Sequence, residues 1–170
     1  MNKNKYYEET PNANNDYITE RDLRVEQFKY DKEFINLSKK WRENALKRKY
    51  MNNFSWMGRP LIQFPGDILA VQELISTLKP NKVIETGIAH GGSLIMSASI
   101  LALLDMCDSI ESGTMLNPKV SKRKVLGIDI DIREHNRKAI ELSPMASRIQ
   151  MIQGSSIEPN IIEQVKQVAK

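Results

Sequence analysis

A chain of 170 residues has room for one domain, or for one domain with an extension. With 41% hydrophobic and 27% charged residues, and no repeat or low-complexity tract, it falls in the ordinary globular range and outside the fibrous classes. The formal net charge of +4 is mild, and the basic runs Lys47-Arg48-Lys49 and Lys122-Arg123-Lys124 lack the interleaved aromatics of a nucleic-acid footprint, so they read as solvated faces.

No apolar run in the sequence approaches the roughly 20 residues needed to span a bilayer. The N-terminus lacks the apolar stretch of a secretory signal. A single cysteine, Cys107, excludes an intrachain disulfide and fits a reducing cytoplasm. It follows Leu103 and Leu104 in a helical pattern, which points to a buried structural thiol rather than a nucleophile.

Residues 1–15 are polar and rich in Asn, and are expected to form a disordered tail. From residue 16 to about 52 the sequence predicts amphipathic helix in two pieces, with Leu23, Phe28, Phe34, Ile35, Leu37 and Trp41 as apolar positions. The stretch FSWMGRPLIQFPGD, residues 54–67, predicts an ordered loop, because two prolines and two glycines fall in a short span. Residues 16–66 are therefore expected as a helical extension with a cap loop, and residues 67–170 as the domain proper.

Asp67 is the expected N-cap of a helix carrying Ile68, Leu69, Val71, Leu74, Ile75 and Leu78, which Lys79-Pro80 ends. Strands are then expected at 82–85, 125–129 and 148–152. Helices are expected at 92 to about 105, 133–142 and 157–169, with a polar loop at 108–122. That alternation implies an α/β fold, with a parallel sheet and right-handed crossovers. Three parallel strands make half of a doubly wound domain, so the chain reads as truncated or as a piece of a longer one.

The segment VIETGIAHGGS ends the first of these strands and opens a helix, the context that gives a glycine loop meaning. Gly87 is expected to make the sharp turn, Gly91 and Gly92 to let backbone approach a ligand, and Ser93 to cap the helix. Free N–H groups there suit an anionic or carboxylate-bearing ligand. The spacing departs from G-x-G-x-x-G, because Ala89 stands at the middle glycine. Glu85, two residues before Gly87, would crowd a dinucleotide pyrophosphate and suits a cation, such as a sulfonium or an amino group. Acid-x-Gly-x-small-x-Gly is the methyltransferase form of the loop, and it points to S-adenosylmethionine. The bland alternative is a tight turn with no ligand.

Asp129 ends the second strand, where an acid can accept both ribose hydroxyls of a nucleoside. Asp131 competes for that role, but Asp131-Ile132-Arg133-Glu134 reads as a capping box. Ser155 follows the third strand and is a candidate adenine contact, while Ser156 could instead cap the last helix. His90 reads as packed beside the cofactor and His135 as a surface residue. Two separated histidines give no metal-ligand spacing.

Together these segments resemble the cephalosporin hydroxylase family, which includes methyltransferase-like proteins of antibiotic and glycan biosynthesis. The matching residues are Trp56-Met57-Gly58 with Pro60, Gln63, Pro65 and Asp67, then IETGIAHGGS, GIDIDIREHNRKAI and IQGSS. The resemblance implies a Rossmann-like methyltransferase fold, S-adenosylmethionine as cofactor, and a small hydroxylated acceptor such as a sugar or secondary metabolite. It implies cofactor roles for Glu85, Gly87 and Asp129, and it suggests that the segment from Gln63 to Asp67 closes over the cofactor. Related metal-assisted O-methyltransferases hold a divalent ion, such as magnesium, on carboxylates after their fourth and fifth strands. No such ligand and no catalytic base carries over to this sequence, so a cation is expected only in a longer form.

The expected function is therefore O-methyl transfer to a small molecule, with self-association into a homo-oligomer left open. The competing readings are an inactive remnant or a cofactor-binding interaction module. A hydroxylase or a nicotinamide oxidoreductase is less favoured, since the histidines do not form an iron triad and Glu85 and Ala89 oppose a dinucleotide.

Overall fold

A computed structural model of the protein describes residues 11–169. The described residues fall into two compact units, divided between Arg48 and Lys49.

The first unit holds two helices, α1 (Pro11–Phe28) and α2 (Lys32–Lys47). The two expected pieces are therefore present. Helix α1 begins inside the stretch expected as a tail, while residues 1–10 lie outside the described residues. Asp31 caps α2 by accepting the Phe34 N–H at 2.9 Å. The Phe28 and Phe34 rings stack across the connecting turn with centroids 4.9 Å apart.

The second unit opens with a 3-10 turn, Tyr50–Asn53, and then a two-stranded antiparallel hairpin, β1 (Phe54–Trp56) and β2 (Arg59–Leu61). This corrects the expected loop, and it moves the hairpin out of the helical extension into the second unit. The turn residues Met57 and Gly58 have φ of 46° and 81°. Both lie in the left-handed region, as a two-residue hairpin turn requires. Met in that position lacks the Asn-Gly or Asp-Gly signal that would have exposed the turn in the sequence.

Helix α3 (Pro65–Leu78) starts two residues ahead of the expected Asp67 cap, with Pro65 in its first turn and no side-chain cap from Phe64. Proline suits that position because its missing N–H would be unpaired there anyway. Then follow β3 (Lys82–Thr86), α4 (Gly92–Ser112), β4 (Lys124–Asp129), α5 (Glu134–Glu141), β5 (Ile149–Gln153) and α6 (Pro159–Ala169). The sheet order is β3-β4-β5, parallel throughout, and pairs Glu85 with Gly127 and Asp129 with Gln153. The expected α/β, Rossmann-like arrangement is what the chain adopts.

Helix α4 runs about two turns further than expected and shortens the polar loop that follows it. It is also long and apolar enough, by length and composition, to cross a membrane, with a mean hydropathy of 1.6, which corrects the reading that no run approached that length. Here Leu94, Ile95, Met96 and Leu101 are buried in the protein. Helix α4 packs on β4, α3 and the hairpin. On one side the core gathers Leu61, Ile75, Ile88, Leu94, Leu101, Val125 and Ile140; a second cluster joins Leu126, Ile128 and Ile161. Each such side chain contributes roughly 1.5–3 kcal/mol on burial.

The capping box expected at 131–134 does not form. Arg133 is the cap position and makes no side-chain cap bond, while Glu134 reaches forward to Lys138 at 2.5 Å. Helix α6 begins at Pro159, later than expected, after a turn in which the Glu158 N–H donates to the Ser155 carbonyl at 3.0 Å. Cys107 is free and half-buried.

Candidate active site

The carboxyl ends of β3 and β4 open into a cavity of about 400 Å³ beside the glycine loop. Its wall includes Gln63, Glu85, Gly87, Ala89, His90, Gly92, Ser93 and Asp129. Eight of the ten residues singled out in the sequence therefore share one cavity. Gly91 and Ser155 are not in its wall.

Gly87 turns the chain off β3 with φ of 87°, and nothing lies within 4 Å of where its Cβ would stand. Its role is conformational, as expected. Gly91 and Gly92 differ in part from expectation. A Cβ at Gly91 would strike the Ile140 side chain, and one at Gly92 would strike the Pro60 carbonyl. The space left by the missing Cβ atoms is filled by α5 and the hairpin, while the Gly92 backbone still lines the cavity. Ala89 is left-handed at φ 46°, an arrangement that costs an L-residue about 1–2 kcal/mol.

Ser93 is not the helix cap. Gly91 holds that position, and the Ser93 hydroxyl instead donates to Glu85 Oε1 at 2.6 Å. Burial pushes the Glu85 carboxyl above its ordinary range, and the Ser93 bond only partly offsets this.

Asp129 faces inward to the loop. Its Oδ2 accepts the N–H groups of Ile88 at 2.6 Å and Ala89 at 3.3 Å, and its Oδ1 accepts that of Asp131 at 3.0 Å. Burial raises the Asp129 pKa, but these backbone donors, with Ile130, outweigh it and hold the carboxyl below its usual range. A carboxylate offers about four acceptor positions, so little capacity remains for two ribose hydroxyls. Asp131 also serves this turn, through its backbone rather than as a cap.

Two residues that the sequence did not single out hold the loop from behind. Arg59 on β2 donates to the His90 carbonyl through Nε at 3.0 Å and through Nη2 at 2.6 Å. Its Nη2 also meets Asn136 Oδ1 at 3.0 Å, and Asn136 Nδ2 donates to the Ala89 carbonyl at 2.8 Å. Asn136 is only 4% exposed. A polar residue on the apolar face of α5 was the available sign, since Ile132, Asn136 and Ile140 share one spacing. His135 is exposed, as expected.

A larger hollow of about 590 Å³ lies toward the opposite sheet edge, near Asp105, Asp108, Ser121 and Arg123. Its two carboxylates are paired with arginines. Arg123 and Arg148 each meet Asp105 at 2.5 Å, and Arg123 meets Asp108 at 2.7 Å. Arg123, expected on a solvated face, is thus largely buried in this cluster. Among the described residues no three His, Cys, Asp or Glu side chains converge as metal ligands.

The family model for rhamnosyl O-methyltransferase/CmcI matches residues 48–170. The chain belongs to that family. This is the cephalosporin hydroxylase family whose residues the sequence resembles, and it makes the protein a member of an O-methyltransferase family. The match covers the second unit, with the hairpin, the glycine loop and all three strands. No curated protein matches the chain, and no solved structure matches it.

Proposed function

We propose that the protein binds S-adenosylmethionine in the glycine-loop cavity and serves O-methylation of a small hydroxylated acceptor. The observation that carries the reading is Gln63 Oε1, which is buried with no hydrogen-bond partner and belongs to the same cavity as Glu85. An unpaired buried acceptor costs about 1–3 kcal/mol, so a ligand that donates to it recovers that cost. Glu85 and Gln63 are both acceptors, and they fit the ammonium of a methionine group. A cavity of about 400 Å³ falls in the range of small-molecule sites.

When bound, S-adenosylmethionine supplies the electrophilic methyl group that passes to an acceptor hydroxyl. The chain's own part is positioning. The first N–H groups of α4 suit the carboxylate of the methionine group. Asp129 keeps the loop folded and leaves capacity for at most one ribose hydroxyl. The family description names rhamnosyl O-methyltransferase, which supports a sugar hydroxyl as the acceptor class. The described residues do not fit a divalent cation, and no step is assigned to one.

The test is a calorimetric titration of the protein with S-adenosylmethionine. The reading expects saturable binding that S-adenosylhomocysteine competes away. An absence of heat and of thermal shift overturns it.

A further inference from the structure

We infer that Arg59 and Asn136 are positioning residues that lock the glycine loop in its ligand-competent shape. The inference rests on the cofactor reading above for its functional meaning, but the lock itself stands on geometry.

Ala89 and Gly91 both have left-handed backbone, at φ 46° and 81°. With Gly87 at 87°, the loop has three such residues, one of them not glycine, and it holds its shape only where its surroundings enforce it. The enforcement here is specific. The carbonyls of Ala89 and His90, consecutive in the loop, are held by Asn136 and Arg59 respectively. Arg59 and Asn136 also hold each other, at 3.0 Å. Because the peptide is planar and trans, fixing the Ala89 carbonyl turns the His90 N–H the opposite way, away from Asn136. The Gly91 N–H is taken by the Ile88 carbonyl at 2.8 Å, which closes the turn from the other side.

The two residues come from separate elements. Arg59 is brought by the hairpin, which is fastened to α4 where Trp56 Nε1 donates to Ser99 Oγ at 3.3 Å. Asn136 is brought by α5. The guanidinium can serve a carbonyl and an amide oxygen together because its donors form a fixed fork. Lysine at position 59 retains the charge and one point contact, but not the fork.

The test compares Arg59→Ala, Arg59→Lys, Asn136→Ala and Asn136→Asp with the wild type. Leu104→Ala, a core change on α4, serves as the control for lost stability. Two quantities are measured: affinity for S-adenosylmethionine by calorimetry, and amide hydrogen exchange of residues 88–93 in the free protein. Hydrogen bonds to charged groups are each worth enough that Arg59→Ala should weaken binding about tenfold or more. Asn136→Ala should act similarly, and Arg59→Lys should recover part of the loss. Asn136→Asp keeps an acceptor for Arg59 but faces the Ala89 carbonyl without a donor, so it should stay weak. Exchange at 88–93 should quicken in the alanine variants while Leu104→Ala lowers the melting temperature and leaves affinity unchanged.

If the wild type binds and the variants bind equally well, the inference is overturned. It is equally overturned if Leu104→Ala weakens binding as much as they do. If the wild type does not bind, the cofactor reading fails, and the lock is judged by exchange alone. Faster exchange confined to 88–93 then supports it, and unchanged exchange overturns it.

Discussion

The Ser93 hydroxyl donates to Glu85 Oε1 at 2.6 Å, tying the first turn of α4 to the end of β3. The bond leaves Glu85 above its ordinary 4.5, because burial outweighs it. A raised pKa means the protonated form stabilises the free protein. That contribution is complete below the ordinary value and is lost as pH climbs through the raised one. A cationic ligand favours the ionised form, so affinity for S-adenosylmethionine should rise over the same window and binding should release a proton. Calorimetry in buffers of different ionisation enthalpy reads that proton directly. Glu85→Gln should flatten both the stability and the affinity profiles.

Gln63 offers a separable prediction. Replacing it with Leu removes the buried unpaired oxygen. The free protein should keep its stability or gain about 1 kcal/mol, because an orphaned acceptor is gone. Affinity for the cofactor should fall about tenfold, the equivalent of one hydrogen bond of about 1.4 kcal/mol. Urea denaturation and calorimetry on the same sample check the two signs. A parallel loss of both would mean that Gln63 is structural.

Gly92→Ala should destabilise the second unit. The new methyl would meet backbone at Pro60 and Leu61, not the end of a flexible side chain. Overpacking of that kind costs about 1–3 kcal/mol, and more where backbone must shift. Chemical denaturation gives the magnitude. A neutral result would show that the hairpin can move off α4 at little cost.

Asp105 joins two arginines, and one of them, Arg148, is 3% exposed. Burial opposes its ionisation, but Ser121, Arg123 and Arg148 outweigh this and lower its pKa below 3.8. The stability this supplies is present above that ordinary value and disappears as pH falls through the lowered one. Asp105→Asn leaves buried Arg148 short of a counter-ion and should cost about 3–5 kcal/mol. It should also remove this part of the acid transition, which circular dichroism follows as pH is lowered.

The three parallel strands and their order of appearance were legible because each is a short apolar run between helix-length patterns. The glycine loop was legible because Glu85, Gly87 and Asp129 fall at strand ends. The hairpin was not, since its turn uses Met57 where the usual signal is Asn or Asp. The neighbours that require glycine at 91 and 92, Ile140 and Pro60, were not legible, because a missing Cβ looks the same in sequence whether a ligand or a neighbouring element needs the room. Ser93, Asp131 and Glu134 carry cap-forming side chains, but Ser93 is taken by Glu85 on β3 and Glu134 by Lys138 one turn on in its own helix. Arg59 stayed hidden because it acts on a backbone carbonyl, which leaves no trace in the sequence, and Asn136 showed only as a polar residue at an apolar spacing, without its partner. They lie 31 and 47 residues from the carbonyls they hold.

The fit of Gly92 beneath the Pro60 carbonyl has a consequence for descent. While the hairpin keeps its place, position 92 accepts glycine and little else, and a change there survives only if residues 59–61 shift first. Because the contact is with backbone, the constraint falls on the path of the hairpin and not on its side chains. A chimera that takes its hairpin from a relative should therefore fold as well as either parent wherever glycine stands at position 92 and the hairpin keeps its length.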